Sequence, residues 1–590
     1  MGPEKPLPLS DNWNTTEEYI ESLLDIVGNN DLLRTLCGGV HILDFFTSDP
    51  DLYSRILPQD WRDFFAQHKV GDILDLLLRE DVKDLWNAVG ETWKDGVAPP
   101  ESLVMYIETV RKHFLLRHVK SSQCARNRAM KPTQKMARHV AVGMTIKKVH
   151  EVGLFARYIS DLTDELSQSS RSGESSGVSH LVDFGSGQNY LGRALASEPY
   201  NKSIVAIESR SQNAERAKEF DVMAKLTTKT ALMRNKKMYR AGVEEIGLPA
   251  PPPETVPSEG AKEIAATSTA DLSLDPAIEA SPNVKGTIQY IEHRIQDGNL
   301  ADVIQQIPQS NPRLMIISLH SCGNLLHHGL RSLILNPAVK AVAMVGCCHN
   351  LLTERLEPAT YKLPSLRPTT HAHPRLHDTG DAQDEHGFPM SERLCQYNNG
   401  HGTRLNITAR MMAVQAPQNW AEKDSEAFFT RHFYRALLQR VFLDRGIVGP
   451  PSTEHEGGSA LGHSSGTPII IGSLRKACYT SFVSYVRGAV AKIILNSTSV
   501  EHAAPFQKKM ETMTDEEIEG YEMEFRQRKK DLSVMWSLMA FSAGVVEAAI
   551  VVDRFLWLRE QEGVVAEAWV EAVFEYGISP RNLVVVGVKK

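Results

Sequence analysis

The sequence predicts an α/β fold, with a Rossmann-like parallel sheet, an α-helical N-terminal module and a large helical insertion before the last strand. Three observations carry this. Short, continuous apolar runs at 181–182, 203–207, 287–291, 314–319 and 339–345 read as parallel strands buried on both faces. The first run ends in Asp183 and turns through Gly185-Ser186-Gly187 into a helical stretch at 190–196. A final apolar run, 582–588, follows a long region of helical patterning and is expected to return to the same sheet.

The stretch 180–208 is the organising unit. Glycines let the backbone pass close to a ligand, and a helix N-terminus offers free amides. The second strand ends in Glu208, an acid placed to accept hydrogen bonds from ribose hydroxyls. A dinucleotide pattern requires a third glycine where Tyr190 stands, so the pyrophosphate fingerprint fails. Asp183 would repel a pyrophosphate but would hold a cationic amine. The expected cofactor is therefore S-adenosyl-L-methionine, with Asp183, Gly185, Gly187 and Glu208 as its binding residues. Asp297, past the third strand, is expected at the adenine edge, and Lys148 lies in the helix expected to wall the pocket.

At 590 residues the chain should hold more than one domain. The expected divisions are a helical region at 1–120, the sheet domain at 121–440, a helical insertion at 441–575 and a closing strand at 576–590. The Pro-, Ala- and Ser-rich segment 247–284 is expected to be a disordered insertion, and 353–404 an irregular one. Seven cysteines lack a disulfide-framework spacing, and no secretory signal is evident, which suits a cytoplasmic or nuclear protein. The apolar run 534–552 is interrupted by Glu547 and reads as a buried core helix rather than a membrane span.

A net charge of −7 argues against a chain-wide nucleic-acid surface. Locally, 111–150 carries eleven Lys or Arg and no Asp or Glu. Such a stretch is either a solvated helix face with a linker or a phosphate-tracking surface, which makes RNA the expected partner.

A second constellation stands at the ends of strands four and five: His320 and Cys322 on one, Cys347, Cys348 and His349 on the other. In an open α/β sheet both would face the ligand crevice. Three chemistries compete: a zinc site, a nucleophilic thiolate, and a tight pocket lined by small polarisable groups with a histidine as proton acceptor. The third is expected, with no metal, because neighbouring cysteines on a strand should point to opposite sides.

The segments DFGSGQNYLGRALA, LHSCGNLLHHGLRS, VGCCHNLLTE and HGFPMS, with KKVHEV upstream, resemble the eukaryotic methyltransferase-like 25 family. That family is also named for a ribosomal RNA adenine dimethylase-like domain. The paired HSCG and CCH motifs are similar to those of a tRNA 2′-O-methyltransferase family. The resemblance implies a class I methyltransferase fold that binds S-adenosylmethionine, and it leaves the acceptor open. Asn189 stands where a third glycine is common, and no Asn-Pro-Pro-aromatic motif for base amines follows strand four. The competing expectation is a methyltransferase-fold scaffold that binds RNA or protein without catalysis.

Overall fold

The computed structural model describes residues 2–94, 96–118, 136–168, 177–227, 286–357, 384–420, 422–448, 469–496 and 500–590. The expected insertion at 247–284, the middle of the basic stretch and residues 358–383 of the second insertion lie outside the described residues.

Seven strands form one sheet: β1 (His180–Phe184), β2 (Ile204–Glu208), β3 (Ile288–Glu292), β4 (Leu314–Ser321), β5 (Val339–Gly346), β6 (Val565–Ala572) and β7 (Leu583–Lys589). Their order is β3-β2-β1-β4-β5-β7-β6. The first five run parallel, with Val182 opposite both Val205 and Ile316. The returning strand β7 inserts antiparallel beside β5, pairing Ala343 with Val586. Strand order reverses between β1 and β4, which opens a crevice at their carboxyl ends.

Alternation along each strand divides the side chains between two cores. Leu181, Ile204, Ile317 and Val345 pack with α5 (Ile146–Gln168) and α6 (Tyr190–Ala196) on one face. Val182, Ile207, Ile316 and Met344 pack on the other face, in the same cluster as the N-terminal helices. These include α1 (Thr16–Asn29), α2 (Gln59–Gln67), α3 (Val70–Leu78) and α4 (Glu101–Lys112). The described residues of the region 1–120 therefore share a core with the sheet. Its capping follows the sequence: the Thr15 side chain accepts from the Glu18 amide, and Glu17 and Glu18 complement the first turn of α1.

The centre of that shared core is α12 (Lys529–Glu560), preceded in chain order by α7 (Ser211–Met223), α8 (Leu325–Leu335), α9 (Glu422–Asp444), α10 (Phe482–Asn496) and α11 (Asp515–Phe525). The run 515–560 is long and apolar enough to cross a membrane, yet 94% of its most apolar window is buried against the rest of the chain. Tyr106 and Ser542 join α4 to α12 through a 2.6 Å hydrogen bond between hydroxyls.

One strand went unanticipated. Residues 565–572 fall inside the range expected to be helical, yet form edge strand β6, antiparallel to β7. Its sequence, VAEAWVEA, alternates imperfectly, and its pairing partner lies beyond an intervening loop. The N-terminal segment crosses it: Val570 N–H donates to Pro6 O at 2.8 Å, which covers an otherwise open edge.

Candidate active site at the strand tips

The glycine turn between β1 and α6 is held in the left-handed region at three points: Gly185 (φ +64°), Gly187 (φ +57°) and Asn189 (φ +50°). Asparagine tolerates this conformation better than most residues, which explains how the turn forms without a third glycine. A methyl group built on Gly187 would meet no atom within 4 Å, so this amide-rich backbone faces an open cradle. The Glu208 carboxylate accepts from the Gly187 amide at 2.8 Å and the Arg210 amide at 3.0 Å, tying the turn to the tip of β2.

Behind the turn, Asn189 Nδ2 donates to Tyr290 Oη at 3.0 Å, and Tyr290 donates to Asp221 Oδ2 at 2.6 Å. Arg193 is fully buried, with its guanidinium 5.1 Å from the rings of Tyr190 and Phe220. It donates to the carbonyls of Val140 and Val142 at 3.0 and 2.9 Å, fixing the segment that leads into α5. Asp183 is 3% exposed, and burial, reinforced by the negative charge of Glu208, pushes its carboxyl up to about 8. The Ser186 hydroxyl is buried without a hydrogen-bond partner among the described residues. A buried acid short of a cation, an unpartnered hydroxyl and an open glycine cradle fit a ligand that brings an amine and ribose hydroxyls.

At the tip of β4, Lys148 Nζ contacts His320 Nε2, and both approach Glu151, at 3.1 and 3.5 Å respectively. Ser579 Oγ donates to the same carboxylate at 2.6 Å. Burial alone would raise Glu151. Hydrogen bonds from His320 and Ser579 and the charge of Lys148 outweigh it and hold the group down at about 2. Lys148, expected with the cofactor set, thus pairs with His320 at the β4 tip. His320 Nε2 lies against both the Lys148 ammonium and the Glu151 carboxylate, and this shared contact fixes the imidazole at the β4 tip.

The three cysteines converge. Cys322 Sγ lies 3.4 Å from the sulfurs of both Cys347 and Cys348, and those two are 3.5 Å apart. This corrects the expectation that Cys347 and Cys348 diverge. Strand β5 ends at Gly346, and Cys348 (φ −102°, ψ 74°) has left the strand conformation, so strand alternation no longer applies. Within the trio the first ionisation is eased by S–H···S hydrogen bonds to the thiolate, and the second is hindered.

His349 parts from this group. It is 1% exposed, its ring lies 3.7 Å from Glu547 of α12, and burial lowers it to about 4. Glu547 is also bound by Arg117 at 2.5 Å and Arg581 at 2.9 Å. A neutral ring beside a buried ion cluster is a structural feature rather than a proton acceptor for substrate. Asp297 lies in the loop after β3, where its carboxylate accepts from the Asn299 amide at 2.8 Å and its carbonyl accepts from Arg331 of α8 at 3.3 Å. Beyond α8, a cavity of about 390 Å³ is lined by Arg331, Arg355, His386 and Trp557, none of them a strand-tip group.

The basic stretch is partly spent on the fold. Arg111 donates to the carbonyls of Leu76, Leu77 and Glu80, and Arg117 neutralises Glu547. Glu151, Ser579 and Arg117 escaped the sequence reading. Glu151 sits inside KKVHEV and was open to discovery as an acid one helical turn from Lys148, whereas Ser579 and Arg117 reach their partners only through the fold.

A family model described as a methyltransferase domain matches residues 147–355, a span that includes the glycine turn, Glu208, His320 and the three cysteines. The chain is 28% identical over 295 residues to a mouse protein named probable methyltransferase-like protein 25, covering 50% of this chain and 40% of that protein. It is 23% identical over 525 residues to the human protein of the same name, covering 76% of this chain and 75% of that one. No solved structure matches significantly. The chain carries a methyltransferase domain and is similar to proteins named probable methyltransferase-like protein 25.

Proposed function

We propose that the chain is an S-adenosyl-L-methionine-dependent methyltransferase. The observation that carries this reading is the β1–β2 edge, where Asp183, the Gly185–Gly187 turn and Glu208 meet the needs of one ligand. Asp183 would take the methionine ammonium, the turn would let the backbone approach the sugar, and Glu208 would share its carboxylate with the ribose diol. The bound cofactor supplies an electrophilic methyl group. The protein then has to align an acceptor with it, largely a positioning effect. His320, Lys148 and Glu151 are the groups proposed to orient the acceptor and receive its proton.

RNA is the acceptor class we carry forward, on a narrower basis than composition suggested. With Arg111 and Arg117 turned inward, the reading rests on the acid-free run that includes Lys120, Arg126, Arg128, Lys131 and Lys135. One observation favours the scaffold reading instead: both Glu208 oxygens already accept backbone amides. Tritiated-methyl transfer into cell extract, with and without ribonuclease, tests the proposal. Label that disappears with ribonuclease supports an RNA acceptor. Label that survives contradicts RNA, and failure of the protein to bind the tritiated cofactor in equilibrium dialysis overturns the enzyme reading in favour of the scaffold.

A further inference from the structure

We propose that Cys322, Cys347 and Cys348 form a three-thiolate site for a thiophilic divalent cation, with Zn²⁺ as the ion of best fit. Three sulfurs from two strand ends lie within 3.5 Å of one another, with Cys322 exposed and the other two half-buried. Their backbone supports are already joined: Cys347 N–H donates to Ser321 O, and Gly323 N–H donates to Cys348 O, both at 3.3 Å. The trio is therefore held by paired strand tips rather than by a free loop. A Zn–S bond of about 2.3 Å places tetrahedral sulfurs about 3.8 Å apart, so each pair has to open by only a few tenths of an ångström.

Two other fates for the trio fit less well. A disulfide requires sulfurs about 2.0 Å apart and would leave the third thiol stranded beside it. An apolar lining role does not explain why two successive residues after β5 turn toward a third cysteine from β4. Charge also fits. Three thiolates around a dication carry one net negative charge, and the Arg554 guanidinium lies behind them, so close to Gly346 that a Cβ there would sit 2.5 Å from Nη1. The positive charge of this buried arginine offsets the residual negative charge of a three-thiolate site.

Binding is not redox chemistry. Each thiol loses its proton to solvent as a metal–sulfur bond forms, and the fourth coordination position stays available to water or to a soft or anionic atom of an acceptor. The pattern of three protein ligands with one open position is that of reactive rather than purely structural zinc.

The test uses the full chain, stripped of metal and reduced, then titrated with ZnCl₂ or CoCl₂. The expected results are about one Zn²⁺ per chain and a near-ultraviolet thiolate-to-cobalt charge-transfer band. Cys322→Ser, Cys347→Ser and Cys348→Ser should each weaken binding by about tenfold or more, whereas Cys478→Ser should leave it unchanged. Circular dichroism checks that each variant is folded, and the cobalt spectrum of the unaltered chain stands without any variant. Less than about 0.1 equivalent of metal with no charge-transfer band, or a disulfide within the trio in protein isolated without oxidant, would overturn the site. Cofactor binding by the metal-free chain is a separate reading, so failure of one proposal is distinguishable from failure of the other.

Discussion

At the tips of β1 and β2 the working groups come from one continuous stretch, 183–208, and meet through backbone amides: Glu208 grips Gly187 and Arg210 directly. At the tips of β4 and β5 they are gathered from across the chain. Glu151 arrives on α5, Ser579 from the turn between β6 and β7, and Glu547 and Arg554 on α12. The first half is built by local conformation and the second by tertiary convergence. Local construction gives a site that survives changes elsewhere, whereas convergent construction ties chemistry to the stability of the shared core.

The largest expected effect tests that tie. Glu547→Ala leaves Arg117 and Arg581 without their carboxylate in a nearly dry setting, and should cost about 3–5 kcal/mol in urea unfolding. Burial alone would raise Glu547, but Arg117, Arg581 and His349 pull it far below the ordinary carboxylate range. Its contribution is therefore complete above the unfolded pKa, near 4.5, and is lost as pH falls through the lower folded value. Glu547→Ala should leave cofactor affinity intact in whatever fraction remains folded. A loss of less than about 1 kcal/mol would break the claimed dependence on the core.

Asp183 has the opposite sign. Folded, it keeps a proton up to about 8 that the unfolded chain sheds near 3.8, so this group subtracts stability as pH rises between those values and no further above them. Asp183→Asn should raise stability at pH 8 by roughly 1–3 kcal/mol while weakening cofactor binding. In the unaltered chain, an arriving ammonium should expel that proton. Calorimetry in two buffers of different ionisation heat should show proton release at pH 7, and equal heats would contradict the assignment.

Glu151→Gln is expected to slow methyl transfer by about tenfold through loss of the clamp on Lys148 and His320, with little change in cofactor affinity. A matched fall in both would place Glu151 with the cofactor instead. The smallest effect belongs to Asn189→Gly. Relief of the left-handed backbone offsets loss of the Tyr290 hydrogen bond, leaving urea stability within about 1 kcal/mol.

The same contrast explains what was legible in sequence. Gly185, Gly187, Asn189 and Glu208 are readable because their requirement is conformational and close in the chain. The parallel strands are readable because burial on both faces leaves unbroken apolar runs. Strand β6 was missed because its edge position and partner are set by β7, not by its own pattern. His349 and Cys348 look equivalent in the motif CCH, yet α12 buries one and leaves the other beside Cys322. The inward turn of Arg111 was equally hidden, because the carbonyls it satisfies belong to the end of α3 and the residues just beyond.

The central claim is that the β1–β2 edge holds S-adenosylmethionine independently of the cysteine half. Isothermal calorimetry of the cofactor against three proteins tests it most directly: the unaltered chain, Glu208→Ala and Cys322→Ser. The expected result is one site in the unaltered chain, affinity lowered by roughly 10–100-fold in Glu208→Ala, and affinity in Cys322→Ser within about threefold of the unaltered chain. No binding by the unaltered chain, or binding that Glu208→Ala leaves untouched, would contradict it.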